Sequence, residues 1–367
     1  MKRTLSSTGR AVALIGVFIA ISVSTIAQQR QQQTRDERLP NASAPSAPKA
    51  AKFDRIAGKL KVSDPKSHAN LTIFLIEGED RMDTSNVLTL SEALQKKGRV
   101  IVKETGDVNE LTVRNKDPKH TVFIMAGDIV KGGQQDRTLG TDLPLITTAG
   151  TVPVTSFCVE QGRWHARGKE DVGAFSSAGN VVATKDAKVA LRSKKEQGEV
   201  WKSVAKAQEK ISAGVGKPVA AATSPTSLQL SLEDKELKKK NETFITGLKG
   251  SVEENARAIG FVCVINGQIN SAEIFAGHDL FRRAWPRLLE AAATEAISEQ
   301  KEKVAHETVS VEQAKDFLAA AEDTKATKEQ IHGSFWNVSG ENETTLTFQT
   351  IDEAMDGRWL RRSIIKK

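Results

Sequence analysis

Cysteine and histidine are scarce in this chain of 367 residues, which has two and six of them. They are scattered without metal-ligand spacing, so no metal centre is expected, and no cofactor is expected either. Neither cysteine, Cys158 or Cys263, lies near the N-terminus, which argues against lipid modification there. No RNA- or DNA-reading motif appears and the basic residues are interspersed with acids. The formal net charge of +7 also shrinks once Lys2, Arg3 and Arg10 are set aside, so nucleic acid is not an expected partner. There is no internal repeat and no nucleophile–base pair, and the chemistry of any catalysis stays unknown.

The most continuous apolar run, 11–27, follows those three basic residues and ends in Thr25-Ile26-Ala27 before QQRQQQTRDER. That order reads as a secretory signal cut before Gln28, with export to the periplasm or the outside of the cell. A retained anchor is the rival reading, because the run is only slightly short of the roughly 20 residues a spanning helix needs. Contact with a membrane is expected through this segment alone. Residues 28–52, rich in Gln, Ala, Ser and Pro, read as a disordered tether.

From residue 53 the chain reads as α+β: a strand-rich N-terminal half, then long helices and a β-hairpin in the C-terminal half. LTIFLIEG (71–78), RVIVKE, ELTVRN, HTVFIMAGDIV and TVPVTSFCVE (151–160) are strand-like, and SEALQKKG (91–98) is a short helix. Val200, Val204, Ala207 and Ile211 recur at helical spacing within 186–213. Residues 214–227 form a possible hinge. Asn266-Gly267 suits a tight turn between two apolar arms of 258–277, and Pro286 kinks or starts a helix. Residues 53–300 are expected to form one domain, with 301–367 as a C-terminal helix and hairpin extension. Cys158 and Cys263 both fall in strand-like runs, and a disulfide and two buried free thiols stay open as alternatives.

Two stretches share one design. AGDIVKGGQQDRTL (126–139) and SFCVEQGRWHARG (156–168) each run from an apolar strand into an acid, a glycine and an arginine. Glycines at Gly132 and Gly133 let backbone N–H groups approach a ligand, while Arg137 and Arg163 offer forked donors for a carboxylate or phosphate. Asp128 and Glu160 are candidate acids or bases. With Lys131, Gln135 and Trp164 they make the candidate ligand-binding set. Internal ion pairs that merely close the sheet's end are the competing explanation.

AGDIVKGGQQDRTL, FCVEQGRW and the later LRSKKEQGEVW together resemble the ARG-and-Rhodanese-Phosphatase-superfamily-associated protein domain, a bacterial family formerly of unknown function. The resemblance runs from about residue 60 to 300. Its pattern falls here on Gly127-Asp128, Gly132, Gln135 with Arg137, Cys158 to Glu160, and Arg163-Trp164, with Asp128 in place of Glu and Asp136 in place of Asn. It also places Arg192, Gln197 and Trp201 on a helix. The family name implies association with ADP-ribosylglycohydrolases and with rhodanese- or phosphatase-like proteins. A small anionic ligand, phosphorylated or ADP-ribose-like, is what that association implies. Two functions are therefore expected to compete: an exported domain binding such a ligand at the two strand-end loops, and a structural or protein-interaction module whose polar cluster only stabilises the fold. An open pocket with convergent arginines distinguishes the first from closed pairs in the second.

Overall fold

A computed structural model describes residues 47–168, 170–300 and 308–367. The segment read as a signal, and most of the stretch read as a tether, lie outside the described residues. Within the stretch expected to be disordered, Lys49–Ala51 instead forms an edge strand on Lys325–His332. Among the described residues no helix is long and apolar enough to cross a membrane.

The chain from residue 47 onward is mixed α+β, built on one ten-stranded sheet and two smaller ones. The ten-stranded sheet is centred on the hairpin Ala258–Ile265 and Gln268–Phe275. Its turn residues Asn266 and Gly267 have φ of 51° and 71°, a left-handed pair that matches the twist of the strands it joins. Every residue of Ala258–Ile265 is buried, because Leu71–Glu77 and Gln268–Phe275 flank it in the sheet and helices cover it.

The covering helix is His278–Ser298. Phe281 and Trp285 meet Phe261 at ring-centroid distances of 6.2 and 5.3 Å. A fully buried aromatic or leucine of this kind contributes about 1.5–3 kcal/mol by leaving water. Pro286 lies inside this helix, where it removes one backbone hydrogen bond without ending it. Helices Gln197–Val215 and Lys235–Leu248 pack alongside, the first burying Val200, Val204, Ala207 and Ile211 as its spacing predicts.

Residues 325–366 do not stand apart as an extension. Strands Lys325–His332, Phe335–Glu341, Thr345–Asp352 and Arg358–Lys366 form a meander whose last strand pairs with Gln268–Phe275, so they complete the same sheet. The expected hairpin is its middle pair. The flanking strands, KATKEQIH and RWLRRSIIK, are interrupted by charges and lack a long apolar run, which hid them in the sequence.

The strand-rich N-terminal part folds around a second core. Its six-stranded sheet runs in the order Phe175–Val181, Asp128–Gly132, Arg137–Leu139, Thr151–Cys158, Glu110–Asn115, Val100–Glu104, and the two outermost strands lie against each other. A three-stranded sheet of Leu143–Leu145, Thr121–Ile124 and Val87–Thr89 covers it. Thr151–Cys158 shows the period-two logic: Val152 and Val154 enter this core while Thr151, Pro153 and Thr155 face outward. Cys158 and Cys263 are free and buried, which closes the disulfide alternative.

Candidate functional site

The hairpin that joins Asp128–Gly132 to Arg137–Leu139 brings the two strand ends together, because Arg137 pairs with both Val130 and Cys158. Gly132 and Gly133 are required at its tip. Their φ values are 118° and 55°, and a Cβ would meet Ala174 O at 2.7 Å at the first position and collide with the Phe175 ring at the second. From this close turn, the Asp136 N–H donates to Glu160 at 3.1 Å. Arg163 Nε donates to both Glu160 oxygens at 2.8 Å, and Ser224 donates to the same carboxylate. Asp136 receives two bonds from Arg167, at 2.8 and 3.1 Å, and one from Ser227 at 3.0 Å. The rest of the Arg163 guanidinium is held by the carbonyls of Gly132, Gly133 and His165.

Two carboxylates so close cannot behave alike. Burial, aided by the neighbouring Glu160 charge, lifts the Asp136 carboxyl above its usual range in spite of Arg167. Burial works the same way on Glu160, but hydrogen bonds from Arg163 and Ser224 outweigh it and hold Glu160 below the usual range. The cluster is closed, with each acid facing donors that are already committed.

Gly132, Glu160 and Arg163 of the sequence-derived set thus meet, and the structure adds Asp136, Arg167, Ser224 and Ser227. The serines come from the segment read as a hinge, which is pinned here instead. The remaining candidates go elsewhere. Arg137, one residue after Asp136, turns to the inner face of the small sheet, donating to Glu104 at 3.1 Å and to the Val108 carbonyl at 3.2 Å and touching the Cys158 sulfur. Burial pushes the Cys158 thiol up to about 11, against the Arg137 charge, so it is not a nucleophile at neutral pH. Asp128 accepts from the Met125 N–H and pairs with Arg287 of helix His278–Ser298. Lys131 reaches Glu233 at 3.1 Å. Trp164 is 51% exposed, and the Gln135 amide is buried without a hydrogen-bond partner. Gln197 does not enter a pocket: its amide accepts from Cys158 N at 2.8 Å and donates to Cys158 O at 2.9 Å, continuing the ladder where the neighbouring strand has ended.

A second buried network joins the two sheets. Asp142 accepts from the Ala126 N–H at 2.8 Å, from Arg361 at 2.8 Å and from Arg192 at 3.1 Å. Arg361 also donates to Glu273 at 2.8 Å, which takes a further bond from Ser363. Burial alone would raise Asp142, yet Arg192 and Arg361 outweigh it and hold the carboxyl low. Arg192 itself is held below its usual value by burial.

Arg192 lies in a π-helical turn, Ala190–Lys194, with its guanidinium 4.6 Å from the centre of the Phe348 ring. Its Nη1 is buried and has no hydrogen-bond partner. Arg192 lines a cleft of about 360 Å³ together with Thr141, Thr155 and Lys195, and also a smaller cavity of about 20 Å³ reaching Glu273 and Glu295. In the strand-end cluster the Arg163 nitrogens all have acceptors, whereas the neighbouring Gln135 amide and Arg137 Nε are buried without partners. Among the described residues no three His, Cys, Asp or Glu side chains are placed to hold a metal ion.

Residues 59–365 match the model of the ARG and Rhodanese-Phosphatase-superfamily-associated Protein domain. The chain belongs to this family. No curated protein and no solved structure matches it. The family domain extends well past residue 300, through the C-terminal meander, and so takes in Arg361 together with its partner Glu273 and the strand-end cluster, both of which precede residue 300. Both networks therefore belong to one domain.

Proposed function

We propose that this is an exported domain that binds a small anionic ligand, with the strand-end cluster as its frame and the Arg192 cleft as the receptor. The observation that carries the reading is Arg192, which lines a cleft of about 360 Å³ and keeps a buried Nη1 without a hydrogen-bond partner. An unpartnered buried cationic donor is costly, and a carboxylate or phosphate oxygen is the acceptor that removes the cost best. Export is supported by the basic and apolar pattern of the first 27 residues. Any hydrolytic step lacks a named nucleophile, so the proposal is for binding.

The second reading, a structural or protein-interaction module, is favoured by the closure of Asp136 and Glu160 on Arg163 and Arg167. A thermal-shift screen of the exported protein against nucleotides, ADP-ribose, sugar phosphates, sugar acids and dicarboxylates separates them. A ligand at about 100 times its Kd adds about 2.7 kcal/mol of apparent stability. The shift should vanish in Arg192→Gln, and absence of any anion-induced shift in the native protein leaves only the second reading.

A further inference from the structure

We infer that the smaller cavity, of about 20 Å³, is a binding site for one water molecule that bridges Lys188 and Glu295, whatever the larger cleft binds. The first ground is a gap. Lys188 Nζ and Glu295 Oε2 are 3.9 Å apart, too far for a direct hydrogen bond, and both residues line the same cavity. Glu295 Oε2 is buried and has no hydrogen-bond partner, while Oε1 of the same carboxylate accepts the Lys185 N–H. Two charged groups held at this distance beside a space of this size are what a bridging water joins. The volume also exceeds the roughly 10–15 Å³ that one water needs.

The second ground is charge balance, which selects a neutral guest over an ion. Lys188, Arg192 and Arg361 line the cavity with Glu273 and Glu295, and Asp142 pairs with both arginines, so three cations meet three carboxylates. Glu273 is already committed to Arg361 and Ser363. The third ground is the polarity of the wall, to which Ser271 also belongs; cavities that stay dry are lined by apolar side chains. The site lies where helix Lys185–Val189, helix His278–Ser298 and strand Gln268–Phe275 meet. Through it Glu295 holds the short helix twice, at the Lys185 N–H directly and at the Lys188 side chain by way of water.

A high-resolution crystal structure of the protein tests the inference. It should show one ordered solvent peak within about 2.7–3.2 Å of both Lys188 Nζ and Glu295 Oε2. A cavity without that peak, or Lys188 closed directly on Glu295, overturns the inference. Crystals pressurised with xenon separate a hydrated cavity from a dry one, and xenon in the native cavity overturns the site. An anomalous signal at the peak after a bromide soak identifies an anion and overturns the neutral guest. Glu295→Met keeps an unbranched side chain but removes both acceptors, and it should lose the peak; a peak that persists there overturns the bridge. Should that variant fail to fold, the native structure and its xenon and bromide arms decide the matter alone.

Discussion

The strand-end cluster and the Arg192 network are both buried sets of arginines and carboxylates, yet they differ in how their donors are spent. In the first, Arg163 has its nitrogens on Glu160 and on the carbonyls of Gly132, Gly133 and His165. In the second, Arg192 has one bond to Asp142 and a buried Nη1 without a partner, and the residue lines a cleft. A closed set holds loops in place, whereas a set with an uncommitted buried donor has affinity left for something else. The density of charged residues in a sequence does not distinguish the two; the count of satisfied donors does.

The largest effect that tests this contrast is on stability. Arg163→Ala leaves Glu160 and Asp136 short of a buried counter-charge and should cost about 3–5 kcal/mol in urea unfolding. Arg192→Gln should cost less, about 1–3 kcal/mol, because Asp142 keeps Arg361 and the Ala126 N–H. Equal losses would erase the distinction between clamp and receptor.

A smaller effect is the pH dependence of the clamp. Glu160 is held below its ordinary value of 4.5, so its contribution is fully present above that pH and is lost as pH falls through the depressed folded value. Asp136 acts with the opposite sign. Its folded value is raised above 3.8, so in the window above 3.8 the native state keeps a proton that the unfolded chain has released, and stability falls as pH rises. On acidification Asp136 therefore partly offsets Glu160. Asp136→Asn should steepen the loss of the urea midpoint between about pH 5 and pH 3. An unchanged slope would mean that Asp136 is not held above its ordinary value in the folded state.

The smallest effect is at Trp164, which adjoins the clamp in sequence but is 51% exposed. Trp164→Ala should change stability by no more than about 0.5 kcal/mol, and a larger loss in thermal unfolding would place it in the clamp after all.

Local patterning determined much of this protein. Apolar runs marked Leu71–Glu77 and Ala258–Ile265, the Asn266-Gly267 turn marked the central hairpin, and helical spacing marked the buried stripe of Gln197–Val215. Of the shared acid-glycine-arginine design, Gly132 meets Glu160 and Arg163, whereas Asp128 and Arg137 turn to other partners. The runs, the turn and the spacing depend on backbone periodicity and turn chemistry, which neighbouring residues set among themselves. Only the tertiary structure decided where the charges went. Asp136 and Arg137 are adjacent, yet one joins the outer clamp and the other the inner face, because successive residues of a strand point to opposite sides. Asp128 found Arg287, and Asp142 found Arg192 and Arg361, all far away in the chain. Such partners are chosen by how the sheets and helices pack, and no local pattern around either residue records that choice.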